Sequence, residues 1–192
     1  MNKEQRSLTS ELTVSPDSRL VEGYALLFNT ESKDLGGWVE TIEPTSLVGV
    51  IEKSDVFCVL DHKDDRGILA RSKNGYGSLI LAVDDLGLRY LFEAPKTALG
   101  DELLEYLKRG DITGSSFAFS VAKDSWENLP DGRSKRTIKQ FEILYDVSPV
   151  FNPAYTDTTV AKRSMEEIKE ARELAYKKEL DEYFKNLRET IG

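Results

Sequence analysis

Two adjacent hydroxyls, Ser115 and Ser116, open an otherwise apolar run in "GDITGSSFAFSV". A serine becomes a nucleophile only when a base can take its proton, usually an imidazole held by a third group. The chain has one histidine, His62, so any imidazole base must be that residue. Alternation along a strand puts Thr113, Ser115, Phe117, Phe119 and Val121 on one side, and Gly114, Ser116, Ala118 and Ser120 on the other. Ser115 then packs with the aromatics, while Ser116 looks across small neighbours, where a substrate can approach.

The acid partner has two candidates. In "FEILYDVSPV", simple alternation places Glu142, Leu144, Asp146 and Ser148 on one face. An unpaired carboxylate in an apolar strand is costly, so either acid implies a partner. A strand-end acid paired with Lys or Arg would meet that need as well as a catalytic one. Taken alone, His62 reads more readily as a solvated histidine among Asp61, Asp64 and Asp65. That acidic turn has no second histidine and no HxxxH spacing, which gives no support to a transition-metal site. Cys58 lies four residues before His62; on a strand that separation is too long for a dyad, and Cys58 reads as core.

These residues need elements to hold them. "LTSELTV" and "LVEGYALLF" flank "SPDSR" as a hairpin, and "WVETI" gives a strand followed by a short helix entered at Pro44. "DVFCVL" is an apolar strand leading to His62, and "GSLILAV" and "LRYLFEA" flank the turn "DDLG". Leu103, Leu104 and Leu107 recur at helical spacing in "TALGDELLEYLKRG", with Gly110 as the stop. "KDSWENLPDGRSKR" reads as a flexible polar loop before the strand "TIKQFEILYDVSPV". From Met165 onward the sequence turns Glu/Lys/Leu-rich. It predicts a long charged helix with a stripe of Ile168, Ala171, Leu180, Phe184, Leu187 and Ile191. The organisation expected is a domain over 1–161 and this helix over 162–192.

Composition narrows the functional classes. The 192 residues carry a net charge of −8, which disfavours a general nucleic-acid binder. No apolar stretch approaches the roughly 20 residues of a membrane span, and no signal peptide precedes the first strand, so no membrane association and a cytoplasmic location are expected. One cysteine excludes an internal disulfide. No cofactor and no metal are expected.

The ordered motifs "GYALLFN", "LDHKDDRGILARS", "GLRYLFEAP", "LLEYLKRGDITGSSFAFSV" and "YDVSPVFNPAYTDTTVAKRS" resemble the prohead (procapsid) maturation proteases of tailed bacteriophages, from about Leu20 to Ser164. That family is similar to the herpesvirus assemblins. The resemblance implies an α+β, mainly β fold with a barrel-like antiparallel core wrapped by helices. It matches His62 to the family's histidine, Ser116 to its serine and Asp146 to its acid. A Glu is common at the last position, and Glu142 remains the alternative. The implied activity is that of a serine endopeptidase cutting scaffolding segments of the capsid protein, and itself, inside the prohead in the host cytoplasm. The assemblin likeness suggests a homodimer. The competing reading is a non-enzymatic assembly or scaffold-binding module of the same fold.

Overall fold

A computed structural model describes residues 2–8, 12–14 and 18–151. The long C-terminal helix expected over 162–192 lies outside them. In chain order the strands are β1 (Glu4–Leu8), β2 (Thr13–Val14), β3 (Leu20–Leu27), β4 (Trp38–Ile42), β5 (Asp55–Cys58), β6 (Ala70–Lys73), β7 (Tyr76–Gly77), β8 (Ile80–Val83) and β9 (Gly87–Glu93). The helix α1 (Ala98–Arg109) and the long strands β10 (Gly114–Asn128) and β11 (Ser134–Val150) follow.

The fold is mainly β, as the strand patterns predict, but no barrel closes. The expected barrel-like antiparallel core is replaced by two open sheets. One runs β1-β10-β11-β5-β6-β7, with β4 also pairing β11, and the other runs β2-β3-β9-β8. The first is mixed rather than antiparallel, because β4 and β5 both lie parallel to β11. The expected ring of helices reduces, among the described residues, to α1 and a few single 3₁₀ turns.

Both sheets contribute to one apolar core. Val21, Ala25, Tyr90 and Phe92 of the smaller sheet join Phe117, Phe119, Phe141 and Leu144 of the larger. Phe117, Phe119 and Phe141 stack in series, with centroids 5.0 Å and 4.7 Å apart along it. Fully burying each such side chain is worth about 2–3 kcal/mol, which fixes the facing of β10 and β11 beneath the site.

α1 delivers the chain to β10. The Thr97 hydroxyl accepts from the Gly100 N–H at its start, and Gly110 ends it in the left-handed region at φ 75°. A side chain there would be strained, so glycine is the natural stop. Ile112 is then buried and β10 begins at Gly114.

The segment expected as a flexible loop, "KDSWENLPDGRSKR", is a continuation of the hairpin. β10 runs on to Asn128 and pairs Ser134 of β11, and the turn is closed by Leu129 N–H to Arg133 O at 2.8 Å. Polar residues hid the strand because this end is solvated, and cross-strand groups such as Arg136 and Asp124, bonded at 2.7 Å, hold it.

Candidate active site

His62 reaches the site through an unusual turn. β5 pairs β11 at Phe57 and Asp146, and the chain then bends through Leu60–His62 back onto β11. Asp61 and His62 both have positive φ, 54° and 56°. For residues other than glycine each costs on the order of 1 kcal/mol, a strain that is characteristic of functional turns. The bend brings His62 Nδ1 to 2.7 Å from Asp146 Oδ1, with the imidazole 16% exposed and the carboxylate 9%. The Nδ1–H direction is off the line to the oxygen, so this is a close polar contact rather than a linear hydrogen bond. Nε2 is buried and has no partner among the described residues.

Asp146 is positioned by a β-bulge. Ala118 pairs Asp146, yet Phe119 pairs Leu144, leaving Tyr145 as the extra residue. Simple alternation put Leu144 and Asp146 on one face; the bulge separates them. Leu144 enters the core while Asp146 shares the opposite face with Ser148. A second irregularity leaves Glu142 between the Ile143 and Phe141 pairings, its carboxylate 4.0 Å from Lys53 Nζ. Of the two candidate acids, only Asp146 contacts His62.

Two contacts to Asp146 were not foreseen. The Ser148 hydroxyl donates to Oδ1 at 3.0 Å, and Lys3 Nζ lies 3.5 Å from Oδ2. The position of Ser148, two residues on, was a visible signal; that of Lys3 was not.

The two serines part company as expected. Ser115 shares a hydrogen bond of 2.8 Å with the Tyr90 hydroxyl in the core, where burial pushes the Tyr90 phenol well up. Ser116 is directly opposite Ser148, on the face that carries Asp146. Diagonal neighbours on one sheet face are roughly 7–8 Å apart, a span an imidazole bridges with one hydrogen bond at each nitrogen. Ser116 is nonetheless fully buried. Its hydroxyl donates to the Arg6 carbonyl at 2.7 Å and accepts from the Ser7 hydroxyl at 3.0 Å, both on β1. Cys58 is core, and burial, reinforced by the Asp146 charge, pushes its thiol up and away from the reactive thiolate.

The structure thus pairs His62 with Asp146 and places Ser116 on the face that carries Asp146, with its hydroxyl bonded to β1. The chain belongs to the Caudovirus prohead serine protease family, whose sequence profile matches residues 7–171. It is therefore a serine protease of the bacteriophage capsid-maturation class. No curated protein and no solved structure is a significant match to the chain. No helix among the described residues is long and apolar enough to cross a membrane.

Proposed function

We propose that the protein is an endopeptidase in which Ser116 is the nucleophile, His62 the general base and Asp146 the group that orients the imidazole. The observation that carries this reading is the approach of His62 to Asp146 on the sheet face that bears Ser116. Ser116 Oγ attacks the scissile carbonyl carbon as its proton passes to His62 Nε2, the nitrogen left without a partner. The C–N bond then breaks and Nε2 returns the proton to the leaving amine. A water, deprotonated by the same nitrogen, releases the acyl group and restores the Ser116 hydroxyl. Asp146 stays ionised throughout, stabilising the imidazolium and holding the Nδ1–H tautomer. Backbone N–H groups near Ser116, where Gly114 and Ala118 leave room, are the candidates for stabilising the oxyanion.

The substrates are scaffolding segments of the major capsid protein or separate scaffold chains, together with the protease itself, cut in the assembling prohead. The assemblin likeness and a dimer remain part of this reading. One observation favours the non-enzymatic alternative: the Ser116 hydroxyl is directed to a β1 carbonyl rather than to His62. Co-expression with the capsid protein and mass spectrometry of capsid termini separates the two. Cleavage that Ser116→Ala and His62→Ala both abolish is expected, and cleavage that survives either substitution overturns the assignment.

A further inference from the structure

Both hydrogen-bond partners of the Ser116 hydroxyl belong to β1, and the lysine beside Asp146, Lys3, immediately precedes it. β1 pairs β10 antiparallel from Glu4↔Phe119 to Leu8↔Ser115 and covers the outer edge of the strand that carries the serine. In that arrangement the serine proton is committed to a main-chain carbonyl, and a cation sits where the imidazolium charge would otherwise be compensated alone. The geometry points to β1 as an intramolecular occupant of the substrate groove: we propose that β1 holds the enzyme latent. Its displacement frees the β10 edge to receive an extended substrate peptide by strand addition. This rests on the reading of Ser116 as nucleophile.

The occupant defines what the groove accepts. β1 has no fully buried residue and gains little from apolar packing. It is held by its ladder and by charge, which places it among the segments that open locally before the rest of a fold. Arg6 donates to both oxygens of Glu40 at 3.0 and 3.1 Å, and Glu40 is only 3% exposed. Arg136 donates to both oxygens of Glu4 at 2.6 and 3.0 Å. When β1 leaves, the buried Glu40 and Arg136 keep each other, and Arg136 keeps Asp124, but each loses a charged partner, which is costly for buried groups. A peptide running in the same direction restores both if it carries an acidic residue two positions before a basic one. The residue after the basic one faces Ser116, as Ser7 does, and must be small. Main-chain pairing would supply affinity and these charges the register.

The test follows labelling of the full chain by a fluorophosphonate, which reports an accessible, activated serine. Labelling of E4A/R6A is expected to be at least tenfold faster than that of the wild type. A synthetic peptide of residues 2–8 added to the variant should slow it, while the same peptide with its Glu and Arg exchanged should not. In the wild type, the amides of residues 4–8 should exchange hydrogen at least a hundredfold faster than those of 117–121, a measurement that stands even if the double variant fails to fold. Equal labelling of variant and wild type, or β1 amides as protected as those of β10, overturns the latch while leaving the protease reading intact. Labelling that persists in S116A overturns the reading on which the latch rests.

Discussion

Tyr90 and the Arg6 carbonyl divide the two adjacent hydroxyls: Ser115 turns into the core toward the phenol, and Ser116 turns to the face shared with Asp146. Their substitutions should fail in different ways. Ser116→Ala should reduce cleavage of capsid termini to background, a loss of about 10³-fold or more, in a protein that still folds, with about 1–3 kcal/mol lost in denaturant unfolding for its two hydrogen bonds to β1. Ser115→Ala should retain cleavage while also costing about 1–3 kcal/mol in denaturant unfolding, because the buried Tyr90 hydroxyl loses its Ser115 partner. Asp146→Asn keeps the shape of the acid but favours the wrong imidazole tautomer. It should lower the rate by about 10⁴-fold, as measured by single-turnover peptide cleavage. Glu142→Gln, at a half-exposed position beside Lys53, should leave that rate unchanged.

At the scale of elements, the sequence disclosed what alternation and punctuation encode and little else. The hairpin β8–β9, α1 with its Gly110 stop, and the start of β10 follow from periodic apolar residues and turn signals. The Tyr145 bulge does not, because an extra residue changes which face a side chain takes without changing composition. β1 was invisible for a related reason: "EQRSL" has no apolar alternation, and its place comes from main-chain pairing and charged partners distant in sequence. Those partners titrate in opposing directions. Burial raises the Glu4 carboxyl, but hydrogen bonding and charge from Arg136, with Arg6, outweigh it and leave it below the ordinary 4.5. Burial dominates at Glu40 and leaves it above 4.5 despite Arg6 and Arg136. Glu4 thus contributes stability that is present above 4.5 and lost as pH falls through its lowered value. The Glu40 contribution is present below 4.5 and lost as pH rises through its raised value. The two offset each other in acid. Glu40→Gln removes the offset, so thermal stability scanned between about pH 3 and 7 should fall more steeply on the acid side than in the wild type. Parallel curves would refute the opposed titration.

For the whole molecule, the question is how a protease avoids its substrate until a shell has formed. A strand tethered to its own groove competes at an effective concentration on the order of millimolar, so a free peptide of similar affinity binds appreciably only when its concentration approaches that value. Dilute capsid protein would not reach it, whereas protease and scaffold segments enclosed together in a small shell would. Control by assembly then needs no separate inhibitor, only a latch of modest strength, and the ion pairs of β1 with Arg136 and Glu40 are of that kind. The consequence is specific to concentration. With an assembly-defective capsid protein, wild-type protease should leave the termini intact at micromolar levels, while E4A/R6A should cut them without any shell being formed. Intact-mass spectra of both reactions over time would show it. Equal cleavage by the two proteins in dilute solution would mean that something other than β1 delays the enzyme.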